Sequence, residues 1–313
     1  MSIVPENISV ALLAGGTSGE RAISLESGKG ASAALREAGF TVTELDPANK
    51  EDLVALITGD FDVAFLCLHC KGGEDGAMQG MLEVIGLPYT CPGVWSSATA
   101  MDKEKAKVFY RQNDIPTPIS IAVSKGQEYD AANLLEQVGS RVVVKPAAEG
   151  SALGVSICET AQEVEDALAT TFEIAPTVMV ETFVAGRELT VAVIGNEDAK
   201  VLPVIEILPQ LGEFYDYESK YAPGGSKHLC PAPFDEDVTA RAQHLALEAH
   251  RALKCRGVSR TDMILDEDNA LWVLETNTIP GMTETSLLPD AGRAAGISFP
   301  ELCTKLVEYA LED

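Results

Sequence analysis

Apolar positions along the chain follow different rhythms in successive stretches. Ile8 to Ala14 is apolar almost without a break, and Gly15-Gly16-Thr17-Ser18-Gly19 ends it, which predicts a short strand. A helical pattern then runs to about Ala38 and stops at Gly39, a residue suited to the turn after a helix. Phe40 to Asp46 predicts a second strand. Asp62 to Leu68 (DVAFLCL) predicts a third, continuous enough to be buried on both faces. Strand alternating with helix in this way predicts an open parallel α/β unit over residues 1–100.

The pattern then changes. Residues 102–112 (DKEKAKVFYRQ) read as a helix, and Pro116 and Pro118 close it. Arg141 to Pro146 (RVVVKP) predicts a strand running into the small-residue loop Ala147–Gly154. Val155 to Cys158 resumes the sheet, residues 160–171 form a helix, and Thr177 to Glu181 is a strand ending in an acid. This block, 101–185, reads as a compact α+β unit. The last block, 186–313, opens with strands near 188–194 and 201–208. Residues 209–231 carry little regular pattern, and a loop of that length inside a compact domain is usually functional, often a lid. Asp235 to Leu253 is an amphipathic helix. Val258 to Leu265 and Leu271 to Thr276 are strands flanking Asp-Glu-Asp-Asn-Ala. The fold class is therefore α/β followed by α+β.

Composition narrows the partners. The 313 residues carry 48 acids against 23 bases, a net charge of −25, which disfavours nucleic acid and anionic membrane. A nucleotide would need a local cluster of cations and backbone N–H groups. Seven cysteines with no second CxxC pair beside Cys67 and Cys70 predict reduced thiols and a cytoplasmic setting. No apolar run reaches the roughly 18 residues of a membrane helix, and the N-terminus lacks the pattern of a secretory signal.

The last hairpin carries the strongest chemistry. A turn of four or five residues around Glu267–Ala270 places Asp262 opposite Glu275. Period-2 geometry then adds Asn277 and Arg260 to the same face. Two carboxylates and an amide oxygen suit Mg²⁺, which takes few protein ligands beside phosphate oxygens. The apolar neighbours Met263, Leu265, Val273 and Leu274 argue against a merely solvated acidic strand. Lys145 ends a predicted strand, where a lysine is costly unless paired. Lys103 alone reads better as a surface lysine. The Gly150–Gly154 loop can cradle phosphates or simply turn the chain. Glu20 and Arg21 follow a glycine turn at the strand edge where α/β sheets bind ligands, or favour a helix dipole. His69 lies at that same edge, as a structural residue or a ligand contact. Tyr215, Tyr217, Lys220 and Tyr221 suggest a polar cap over a substrate.

Seven collinear segments then resemble the D-alanine–D-alanine ligases of the ATP-grasp superfamily. They are GGTSGERAIS (15–24), LHCKGGEDGAMQGMLEVIGLPYT (68–90), AMDKEKAK (100–107), VVVKPAAEGSALGVS (142–156), FYDYESKY (214–221), RTDMIL (260–265) and LETNTIPGMTETSLLP (274–289). The resemblance implies an ATP-grasp fold behind an N-terminal open parallel α/β domain. It implies ATP and two Mg²⁺ ions, with Mn²⁺ able to substitute, and a homodimer acting on D-alanine. By motif position Asp262, Glu275 and Asn277 match metal ligands. Lys103, Lys145 and Glu181 match ATP contacts, with Phe183 and Val184 beside adenine, Glu188 near the ribose and Lys220 on a phosphate. Glu20, Ser151 and Tyr221 match a hydrogen-bonded trio that binds the first D-alanine and closes the long loop. Arg260 and Gly281 match the oxyanion site, Ser286 and Leu287 the second carboxylate site, and His69 a histidine near the first substrate. The implied chemistry is ATP-dependent ligation of two D-alanines through an acylphosphate. Tyr221 argues against D-lactate as second substrate, and the intact set argues against a catalytically silent ATP-binding regulator. Three departures stand out: Cys70 where the family commonly has glycine, Ala152-Leu153 for a more usual Ser-Val, and Thr182 where lysine is frequent.

Overall fold

The computed structural model describes residues 3–150, 154–210, 225–283 and 285–312. After a short 3-10 turn at Pro5–Asn7, the chain forms β1 (Ser9–Leu13), α1 (Arg21–Glu37), β2 (Thr41–Leu45), α2 (Lys50–Thr58), β3 (Val63–Leu66), α3 (Ala77–Ile85) and α4 (Val94–Met101). The three strands make a parallel sheet of order β2-β1-β3. Both faces are covered, as the unbroken apolar runs require. Val10, Leu12, Val63 and Phe65 enter one core, and Ala11, Leu13, Ala64 and Leu66 the other.

Next come α5 (Lys103–Gln112), β4 (Ser120–Ser124), α6 (Ala131–Val138), β5 (Val142–Pro146), β6 (Ser156–Cys158), α7 (Ala161–Thr171) and β7 (Thr177–Thr182). The sheet order is β4-β7-β5-β6, all antiparallel. Val142, Val144, Val178 and Val180 pack with Leu134, Val138, Val164 and Leu168 from α6 and α7. Alternation therefore turns Val143, Lys145, Met179 and Glu181 to the other face. The reading of RVVVKP as a strand holds, but β5 alternates between buried and half-buried positions.

The last elements are β8 (Arg187–Ile194), β9 (Lys200–Val201), β10 (Ile205–Pro209), β11 (Ser226–Leu229), α8 (Glu236–Ala252), β12 (Val258–Leu265), β13 (Leu271–Asn277), α9 (Leu287–Ala294) and α10 (Phe299–Leu311). An antiparallel sheet runs β11-β10-β8-β12-β13, with β9 on β8. Pairing of β10 with β11 makes the ends of the expected irregular stretch 209–231 into sheet. Residues 211–224, with Lys220 and Tyr221, lie outside the described residues, as do Ser151, Ala152 and Leu153.

The cores do not follow the blocks read from the sequence. Ala106 and Tyr110 of α5 belong to the core beneath β8, β12, β13 and α8. Leu302, Leu306 and Val307 of α10 share a core with Val10 and Phe65 of the N-terminal sheet. The end of the chain thus buries a face that the first sheet cannot cover alone.

Candidate active site

A cleft of about 440 Å³ opens where the three sheets meet. It is lined by nine of the residues singled out above: Glu20, His69, Lys103, Arg260, Glu275, Asn277, Gly281, Ser286 and Leu287. They come from the N-terminal sheet edge, the start of α5, the β12–β13 hairpin and the start of α9.

Asp262 pairs with Glu275 and Arg260 with Asn277, as expected, but the register arises differently. Leu265 pairs with Leu271 around a five-residue turn, and regular pairing would then set Asp262 against Leu274. A bulge between Val273 and Glu275 skips Leu274 and restores the Asp262–Glu275 match. Without it Glu275 would follow Leu271 and Val273 into the core beneath α8. Arg260 grips Asp262 with a fork, Nε to Oδ1 and Nη2 to Oδ2, both 2.9 Å. Thr190, its partner on β8, donates to Oδ1 at 2.5 Å. Glu275 receives Lys103 Nζ at 3.0 Å, and Asn277 Oδ1 accepts the Ile279 N–H at 3.0 Å. Each of the three side chains therefore already turns an oxygen to a cation or a donor, as it would to an oxygen-ligated cation. Among the described residues no group of three or more His, Cys, Asp or Glu forms a metal cluster. The hairpin set has two carboxylates and one amide.

Lys103 is no surface lysine. Its backbone N–H reaches Ala147 O at 2.9 Å and its Nζ reaches Glu149 O at 2.8 Å, so it ties the glycine loop to Glu275. Burial would lower its pKa, but the charge of Glu275 prevails and raises it. Lys145 and Glu181 do not line this cleft. They pair with each other at 2.6 Å on the face of the four-stranded sheet turned away from α6 and α7. Phe183 lies beside them in sequence, under the Arg141 guanidinium at 4.1 Å, with Val184 next to it. Glu188 is on β8, opposite Ile207 and Ile264. The Thr182 hydroxyl donates to Val138 O at 2.6 Å, so it ties the end of β7 to α6 and does not line the cleft.

At the N-terminal edge His69 is buried, with Ser27 Oγ 3.4 Å from its Nε2. Burial lowers its pKa to about 4, helped by the Arg260 charge and opposed by a backbone bond to Ile279. The ring is neutral at working pH. At the other end, Ser286 precedes α9, and its Oγ accepts the Thr283 N–H at 3.0 Å and lies 2.7 Å from Thr283 Oγ1. Gly281 approaches so closely that a β-carbon there would sit 2.8 Å from Ser286 Oγ.

Sequence reasoning gave no role to two further lining residues, Glu74 and His228. Glu74 is buried and accepts the Cys70 N–H at 2.6 Å. Burial pushes it up to about 7, the Cys70 bond opposes that, and Glu20 adds repulsion. His228 follows the long loop and bonds Asp290 on α9 at 2.9 Å. Gly150, at the start of the loop read as a phosphate cradle, also lines the cleft and abuts Cys70 and Glu20. Only the GEDG spacing after His69 hinted at Glu74.

The comparisons with known proteins bear on this geometry. The family model for the D-ala D-ala ligase C-terminus matches residues 109–308. The chain is 44% identical over 309 residues to a D-alanine–D-alanine ligase of Desulfotalea psychrophila, covering 98% of this chain and 96% of that one. The chain belongs to the D-alanine–D-alanine ligase family. A second such ligase, from Moorella thermoacetica, is 44% identical over 308 residues, covering 97% of this chain and 99% of the other. The ATP complex of the D-alanine–D-alanine ligase from Bacillus anthracis superposes with a TM-score of 0.85 at 32% identity, over 97% of each chain. The ATP-grasp architecture read from the ligase motifs is thereby shown. All seven cysteines of this ligase are free thiols, and among the described residues no helix is long and apolar enough to cross a membrane.

Proposed function

We propose that this ligase joins two D-alanine molecules at the cleft, at the expense of ATP, to supply D-alanyl-D-alanine for peptidoglycan precursors. The observation that carries this reading is the convergence of Glu20, Arg260, Glu275, Asn277, Gly281 and Ser286 on one cleft.

The first D-alanine would lie against Glu20 and His69, its ammonium on the Glu20 carboxylate. Its own carboxylate attacks the γ-phosphorus of ATP, ADP departs, and an acylphosphate forms. The amine of the second D-alanine attacks that carbonyl, its carboxylate held at Ser286 and the Leu287 N–H at the start of α9. Arg260 and the Gly281 N–H face the oxygen that gains charge, where a preorganised donor acts most strongly. Phosphate then leaves with the electron pair of the broken C–O bond, and the new amide nitrogen gives its surplus proton to solvent. Lys103 and Lys145 neutralise phosphate charge from two sides, with Lys220 from the loop. Phe183, Val184 and Glu188 flank the base and sugar, and Glu181 the adenine. Ser151 and Tyr221 complete a trio with Glu20 that closes the loop and keeps water from the acylphosphate.

Asp262, Glu275 and Asn277 fit Mg²⁺: all three present oxygen on one face, and cations already balance the two acids. Two Mg²⁺, or Mn²⁺ in their place, would supply charge neutralisation at the phosphates. The three-part division at 1–100, 101–185 and 186–313, a homodimer and a cytoplasmic setting belong to the same reading. Phosphate release that depends on D-alanine tests the activity, and sedimentation tests the dimer.

A further inference from the structure

One fully buried cation has no part in the mechanism above. Lys107 of α5 has a side-chain exposure of 0%. Its Nζ donates to Thr117 Oγ1 at 2.6 Å and to Pro118 O at 3.1 Å. It also lies 2.5 Å from Glu181 Oε2, an ion pair without hydrogen-bond alignment. The other carboxylate oxygen, Oε1, receives Lys145 Nζ at 2.6 Å. Glu181 is therefore held between two lysines that differ in kind. Lys145 stands on the four-stranded sheet with Glu181 and is 12% exposed. Lys107 reaches across from the core of the other sheet.

That anchorage is rigid. Thr117 Oγ1 donates to Val273 O at 2.7 Å, and the Val273 N–H bonds Pro116 O at 2.8 Å. Tyr110, one turn on from Lys107, donates to Thr276 Oγ1 at 2.8 Å. The lysine is thus fixed to β13, the strand that carries Glu275 and Asn277. Burying a lone ammonium costs several kcal/mol unless it is paired, and a carboxylate stripped of one partner costs as much. A surplus cation beside Glu181 therefore needs a reason.

We propose that Lys107 is the standing counter-ion of Glu181, which keeps that carboxylate neutralised when Lys145 leaves it for a phosphate of bound ATP. The inference rests on the reading of Glu181 and Lys145 as nucleotide contacts. With Lys107 present, the cluster holds two cations against one anion, and Lys145 can be shared at little cost. With Lys107 removed, Glu181 holds Lys145 as its one remaining partner, and nucleotide binding must break that pair. Lys107 acts through Glu181 and Lys145, so it is a positioning residue.

The test is calorimetric titration of the full chain with ATP and Mg²⁺, beside KM values for D-alanine and melting temperatures. Lys107→Met and Lys107→Gln should each weaken ATP binding about tenfold or more, with the KM for D-alanine within about twofold. Lys107→Gln keeps a donor for Pro118 O, and it carries the comparison alone if the methionine variant does not fold. Lys107→Arg, which keeps the charge, should bind ATP within about threefold of wild type. In a Glu181→Gln background Lys107→Met should add less than about threefold, because no carboxylate remains to hold Lys145. A folded Lys107→Met or Lys107→Gln with a lowered melting temperature and unchanged ATP affinity would make Lys107 a purely structural tie and overturn the proposal. Unchanged affinity in Glu181→Gln alone would overturn the nucleotide reading of Glu181, and the proposal with it.

Discussion

Asp262 stands opposite Glu275 across the β12–β13 hairpin because Leu274 is left out of the pairing. The bulge turns Glu275 away from the core that takes Val273 and into the cleft. Asp262→Asn keeps the shape and removes the charge that Arg260 and Thr190 share. Activity should fall about a hundredfold or more, and stability by about 1–3 kcal/mol from the weakened buried fork. Steady-state rates over a Mg²⁺ titration and a denaturant curve check both effects. A variant with the wild-type rate at ordinary Mg²⁺ would remove Asp262 from the site.

Glu74 titrates unusually high, at about 7 against an ordinary 4.5. A carboxyl whose folded pKa is raised lends stability that is complete below about 4.5 and is lost as pH rises through about 7. Glu74→Gln keeps an acceptor for the Cys70 N–H and removes the charge. It should therefore be more stable than wild type near pH 8 by about 1–3 kcal/mol, with the difference gone near pH 5. Urea midpoints at the two pH values, without nucleotide or Mg²⁺, measure this.

His69 and His250 are both lowered to about 4, each by burial first and then by a neighbouring arginine, Arg260 and Arg251 respectively. Their neutral forms support the fold above the ordinary value of 6.5, and that support is lost as pH falls through about 4. Histidine ring resonances followed by NMR should show two rings that do not titrate above about pH 5. Titration of His69 near 6.5 would contradict its buried, neutral placement.

Much of this was legible in the sequence, for identifiable reasons. Unbroken apolar runs marked β1 and β3 because a parallel sheet buries both faces. The hairpin acids were legible because period-2 spacing fixes which residues share a face. The bulge was not: a four-residue turn and a five-residue turn with a bulge give the same Asp262–Glu275 match. Lys107 was passed over because a lysine in a run of charges (DKEKAK) looks solvated, and only tertiary packing buries it. The sharing of α5 and α10 between cores was equally hidden, since local pattern does not say which sheet a helix will cover.

Cys70 occupies a left-handed backbone position, φ 57°, where the family commonly has glycine. A β-carbon on Gly150 would lie 2.6 Å from Cys70 Sγ and 3.0 Å from Glu20 Oε1. Gly150→Ala should therefore disturb Glu20 and raise the KM for D-alanine about tenfold, with a smaller change for ATP. Cys70→Gly in the same chain opens space and should recover part of the loss. Independent, additive effects of the two substitutions would show that the thiol does not press on the loop.

The central claim is tested most directly by phosphate release with ATP and Mg²⁺, comparing D-alanine, L-alanine, and D-alanine with D-lactate, in wild type and in Glu275→Ala. The ligase reading predicts release that requires D-alanine, forms D-alanyl-D-alanine, gains nothing from D-lactate, and disappears in Glu275→Ala. ATP binding with no stimulation by any D-amino acid would contradict it.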